Sequence, residues 1–144
     1  MLFRSFAEYF PQALKGWCAA SFGKRLRGAG GRIASDKGNR PPGIVACGEN
    51  DSRLGEALAY YWRGRGVGRK WTWIEVAGLA HERCAPLENF ARRYFLCLMN
   101  KKATGVWRDF GSGEDVAHSA ASAKALQTWL PSADLVEGRS EEHT

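Results

Sequence analysis

Two residues in this chain have the types and the spacing of an acid–base pair. Asp51 follows the apolar run Gly43-Ile44-Val45-Ala46-Cys47 and the turn Gly48-Glu49-Asn50. His81 stands thirty positions later, just past the run Trp71-Thr72-Trp73-Ile74-Glu75-Val76. A carboxylate beside an imidazole orients the ring, fixes its tautomer and stabilises the imidazolium that forms when the ring takes a proton. That is general-base chemistry on a hydroxyl or a water. Taken singly, Asp51 would also serve as an Asx-turn residue at a strand end, and His81 as an ordinary loop histidine. The pair gains meaning from the elements that carry it.

Those elements read as strand, helix, strand. The apolar run over 43–48 predicts a buried strand. Leu54, Leu58, Tyr61 and Trp62 recur at helical spacing and predict a helix over 54–64, and the aromatic and β-branched run over 71–77 predicts a second strand. A unit of this length folds as a right-handed crossover with its two strands parallel. Both strands then point their carboxyl ends the same way. Asp51 and His81 should emerge on one rim of the sheet, where ligands of open α/β sheets bind.

The stretch "GIVACGENDSR…WTWIEVAGLAHE" resembles the carboxyl-terminal part of an α/β-hydrolase. In that family a G-x-x-D turn after a strand bears the triad acid. One helix and one strand later, a G-x-x-H or G-x-G-H loop bears the triad histidine, in the chain order Ser, Asp or Glu, His. Gly48-Glu49-Asn50-Asp51 and Gly78-Leu79-Ala80-His81 fit those two motifs. The resemblance covers residues 1–100 and implies Asp51 as the acid and His81 as the base of a serine esterase-like hydrolase. It implies an α/β fold, a partial three-layer hydrolase sheet of about three parallel strands flanked by helices. It also implies a small-molecule ester as the parent enzyme's substrate, with no cofactor and no metal.

The nucleophile is the missing member. Residues 2–10 predict a helix with Leu2, Phe3, Phe6 and Phe10 on one face, halted by Pro11 and followed by a strand candidate over 15–20. In the resembled family this is the order found directly behind the nucleophile elbow, so the elbow G-x-S-x-G is expected to precede Met1. The chain is then a fragment, inactive alone. A rival elbow is Ala19-Ala20-Ser21-Phe22-Gly23, which needs a helix immediately behind Ser21. Gly23, Gly28, Gly30 and Gly31 stand there with only Leu26 as a large apolar residue before Ile33. At roughly 1 kcal/mol per glycine they cost such a helix about 4 kcal/mol. Ser21 therefore reads as a small residue at a strand end.

Beyond His81, Pro86 opens a helix over 87–100. Its stripe of Leu87, Phe90, Ala91, Tyr94, Phe95 and Leu98 must face a core. Residues 101–138 read as an extension outside the catalytic core. It holds a small hairpin (Val106 to Phe110, then Asp115-Val116) and a short helix over 119–130, with Leu126, Trp129 and Leu130 apolar. Arg139-Ser140-Glu141-Glu142-His143-Thr144 resembles the translation of a sequencing-library adapter, which places the natural chain's end near Gly138.

Composition bounds the remaining classes. With 144 residues and 44% hydrophobic content there is room for one domain. No apolar run is long enough for a transmembrane helix, and Arg4, Glu8 and Lys15 interrupt the first apolar segment, unlike a secretory signal. Cys18, Cys47, Cys84 and Cys97 fit no zinc or redox spacing and read as buried thiols, with Cys18 and Cys47 possible neighbours. The net charge of +6 and the basic runs Lys24 to Arg32 and Arg63 to Lys70, the latter beside Trp71 and Trp73, leave a nucleic-acid-binding module as the alternative function. Glycine caps and basic last-turn residues at a helix end account for the second run more simply.

Overall fold

The segment Gly43-Ile44-Val45-Ala46-Cys47-Gly48 contains no polar side chain, and all six of its residues are buried. A strand of that composition must be covered on both faces. In the computed structural model it is β2 (Gly43–Gly48), the middle strand of a parallel sheet between β1 (Trp17–Ala20) and β3 (Trp71–Val76). The structure describes residues 11–20, 33, 39–100, 104–109, 115–116 and 127–135. Ala20 lies opposite Ala46 and Gly48 opposite Val76, so the carboxyl ends of all three strands share one rim. The three predicted parallel strands are present, in sequence order across the sheet.

Alternation along β2 and β3 builds two cores. Val45 and Cys47 join Trp71 and Trp73 on the face covered by α1 (Leu54–Gly66), through Ala57, Tyr60 and Tyr61. Trp71 is stacked on Tyr60 (4.9 Å between centroids) and meets Trp17 edge-on (5.2 Å). Ile44 and Ala46 face the other way, onto Phe90 and Tyr94 of α2 (Ala85–Met99). The predicted stripe on this helix is the one that packs. Phe90 and Tyr94 are buried, while Leu87, Ala91, Phe95 and Leu98 pack partly buried around them. With Pro86 in its first turn, α2 starts two residues before Leu87.

The glycine-rich turn after α1 is a helix cap. Gly68 takes φ +80°, its N–H donates to the Arg65 carbonyl (3.0 Å), and the Arg69 N–H donates to the Gly64 carbonyl (2.9 Å). That is the Schellman pattern, and it satisfies carbonyls the helix would otherwise leave open.

A second sheet is antiparallel: β4 (Val106–Asp109) pairs on one side with β5 (Asp115–Val116) and on the other with β6 (Gln127–Leu130). The β4–β5 hairpin is as expected. The helix expected over 119–130 is not helical at its carboxyl end, because residues 127–130 form β6. Leu126, Trp129 and Leu130 suit a helical face, but tertiary pairing overrides that local pattern. Trp107 lies opposite Trp129, and all four β6 residues are buried. Residues 119–126 of the expected helix, and the helix expected over 2–10, lie outside the described residues.

The small sheet is also no detached appendage. Trp107, Trp129, Leu130 and Leu135 share a core with Ile44, Ala46, Phe90 and Tyr94. β6 covers β3: the Trp73 N–H donates to the Thr128 hydroxyl oxygen (2.8 Å), and the Thr72 hydroxyl donates to the Trp129 carbonyl. The Tyr61 hydroxyl donates to the Gln127 carbonyl (2.6 Å).

Candidate functional site

The loops leaving β2 and β3 meet at the shared rim. Glu49 N–H donates to the Val76 carbonyl (2.9 Å) and Asn50 N–H to the Leu79 carbonyl (2.8 Å), so the two loops are joined by backbone. Gly48 makes this approach possible. A Cβ at that position would sit 2.2 Å from the Leu79 carbonyl oxygen and 2.6 Å from that of Ala80. Gly78, at φ +69°, turns the second loop through the left-handed region that other residues avoid.

These loops bring Asp51 and His81 together. Asp51 Oδ2 lies 2.8 Å from His81 Nδ1. The carboxylate side chain is fully buried and the imidazole is 49% exposed. The carboxylate divides its work between two oxygens. Oδ1 accepts the Arg53 N–H (2.9 Å), closing an Asx turn at the start of α1, and Oδ2 faces the ring. The turn role and the pairing role, alternatives in the sequence, are held by one side chain at once. An ionised carboxylate only accepts, so Nδ1 carries a proton, and in the neutral ring Nε2 is left with the free lone pair. Among the described residues nothing hydrogen-bonds to Nε2.

The electrostatics keep Asp51 ionised. Burial pushes its pKa up, but the Arg53 N–H, the His81 ring and the Cys47 thiol outweigh this and hold it below the ordinary value. Beneath it, Cys47 is pushed up to about 11, by burial first and then by the Asp51 charge. Burial also pushes Cys18 up to about 11. Both thiols stay protonated at neutral pH and make poor nucleophiles.

Beside the ring lies a cleft of about 320 Å³, lined by His81, Cys18, Ala20, Cys84, Leu87 and Ala91 among others. It is at the small end of ligand-binding pockets. Past His81, Arg83 grips both carboxylate oxygens of Glu88 (2.8 and 3.0 Å), bracing the loop against the first turn of α2 in an exposed ion pair.

Of the other residues singled out in the sequence, Ser21 lies outside the described residues. All four cysteines are free, and only Cys47 is fully buried. Cys18 and Cys47 are not neighbours, since Cys18 packs with the α2 core and Cys47 with the α1 core. Among the described residues no group of three or more histidines, cysteines or acids is placed to hold a metal, and no helix is long and apolar enough to cross a membrane. Trp71 and Trp73 are buried core residues, and Arg65 and Arg69 of the basic run are buried too. Arg65 lies 4.2 Å from the Trp107 ring centroid, in a cation–π contact. The tryptophans are therefore not surfaces on which a base could stack.

Two contributors are not legible in the sequence. The Cys47 thiol under the carboxylate was legible only as an apolar strand residue. Glu49, whose Oε2 accepts the Gly78 N–H (2.8 Å), pairs with backbone and leaves no pattern in the sequence.

The fold and site define an α/β protein with a buried carboxylate–imidazole pair on the carboxyl rim of a parallel sheet. Comparison with known proteins finds no matching family model, no matching curated protein and no matching solved structure.

Proposed function

We propose that this chain is part of a serine hydrolase of the α/β-hydrolase kind, acting on ester or related acyl bonds, with Asp51 and His81 as the acid and the base of its triad. The observation that carries this reading is the 2.8 Å contact between Asp51 Oδ2 and His81 Nδ1, made by loops leaving neighbouring parallel strands. The order acid, helix, strand, histidine supports it, as does the burial of the acid against the half-exposed ring.

In this reading His81 Nε2 removes the proton from a serine hydroxyl as its oxygen attacks the acyl carbon. Asp51 stabilises the imidazolium that forms. The imidazolium then gives the proton to the departing alcohol, and water repeats the sequence to release the acid. The serine belongs to the part of the parent enzyme that precedes these residues, so residues 1–144 alone carry no turnover.

Codons upstream of Met1 in the source DNA should encode an in-frame G-x-S-x-G. The chain extended through that motif should hydrolyse p-nitrophenyl esters, and His81→Ala should lower kcat at least about 1,000-fold. An extended enzyme indifferent to His81→Ala would overturn the proposal. Hydrolysis by residues 1–144 alone, lost in both His81→Ala and Ser21→Ala, would move the nucleophile to Ser21.

A further inference from the structure

Two latches join the loops that carry the acid and the base, and they differ in kind. The backbone bonds run from Glu49 to Val76, at the root of the second loop, and from Asn50 to Leu79, one residue past its turn, while the Leu79 N–H closes that turn on the Val76 carbonyl. The second latch is the Glu49 side chain, which reaches across the gap to take the Gly78 N–H at 2.8 Å. Gly78 is the left-handed turning point of the second loop, three residues before His81. The Gly78 N–H points across the gap to Glu49, where a side-chain carboxylate or amide oxygen can accept it. From Glu49 the chain then runs through Asn50 directly to Asp51. One short segment thus presents the carboxylate that pairs with the ring and the carboxylate that fixes the loop carrying the ring.

We infer that Glu49 is a positioning residue for the Asp51–His81 pair: by bracing Gly78 within the backbone-closed turn it steadies the 79–81 segment and keeps the imidazole seated on Asp51. This rests on the pair acting as proposed above. Glu49 is exposed and touches no reacting atom, so its effect passes through the loop. Reach decides the role more than charge does. Glutamine keeps an acceptor oxygen at the same distance, while aspartate keeps the charge but is one methylene short.

The test is ¹⁵N NMR of the His81 ring in the labelled 144-residue chain, with the signal assigned by its loss in His81→Gln. The ratio of Nδ1–H to Nε2–H tautomer is read at a pH where the ring is neutral. Wild type should be held as the Nδ1–H form. Glu49→Ala and Glu49→Asp should each raise the unseated fraction about fivefold, the yield of one modest hydrogen bond, and Glu49→Gln should restore the wild-type ratio. Thermal melts of the same variants separate the two roles, because a purely structural residue would lower Tm while leaving the tautomer ratio unchanged. A seated ring in all four proteins would overturn the Glu49 inference and leave the acid–base pair standing. An Nε2–H ring in wild type would overturn both.

Discussion

Asp51 contributes to stability through its charge, and the sign of that contribution is fixed by its depressed pKa. The folded carboxyl binds its proton more weakly than the unfolded one, because the Arg53 N–H, the His81 ring and the Cys47 thiol outweigh the effect of burial. Its stabilisation is therefore complete above the unfolded value of about 4 and is lost as pH falls through the lower, folded one. Denaturant melts of wild type and Asp51→Asn should differ at neutral pH, with the gap closing as pH falls below about 4. A gap that stayed open well below that pH would mean that the Asp51 charge is not what stabilises the fold. At this scale the site was readable in part. Asp51 and His81 are legible as a candidate pair because each follows a glycine turn past the end of a strand. Glu49 and Cys47 are not, because one bonds a backbone N–H and the other is indistinguishable from an apolar strand residue.

The elements owe their positions to partners that sequence periodicity registers unevenly. β3, α1 and α2 are legible because each carries its apolar face in its own period, and β2 because it is an unbroken apolar run. β6 is not, because four residues are too few to show alternation, and pairing with β4 decides their state. Its attachment to β3 is measurable. Thr128→Val leaves the Trp73 N–H buried without its acceptor and should cost about 1–3 kcal/mol in a denaturant melt. A loss near zero would mean that the hydroxyl contact does not hold β6 in solution. The junction of the two rim loops is tested by Gly48→Ala, whose methyl would press on the Leu79 and Ala80 carbonyls. It should separate His81 from Asp51 and lower the Nδ1–H fraction more than Glu49→Ala does, because backbone must move. An unchanged ring would show that the loops meet without needing the gap at Gly48.

At the scale of the whole molecule, covered and uncovered apolar surface are distributed unevenly. One face of the parallel sheet is sealed by α1, the other by α2 and the small antiparallel sheet. Leu96 and Met99 on α2 nevertheless remain 57% and 64% exposed, and among the described residues β1 pairs with β2 alone. A strand edge with no partner among the described residues, together with exposed apolar side chains, favours association. In the proposed parent enzyme the sheet continues past β1. The 144-residue chain should then melt at low temperature and scatter light increasingly with concentration. A sharp, concentration-independent melt of a monomer would count against its being part of a larger hydrolase.

The acid–base pair depends most on which ring nitrogen of His81 holds the proton. With Asp51 ionised and buried 2.8 Å from His81 Nδ1, the neutral imidazole must carry its proton on Nδ1 and keep Nε2 free to act as a base. ¹⁵N NMR of the ring at neutral to mildly alkaline pH should find Nδ1–H in the wild-type chain and a shift toward Nε2–H in Asp51→Asn. An Nε2–H ring in wild type, unmoved by Asp51→Asn, would contradict the acid–base pair and with it the proposed hydrolase.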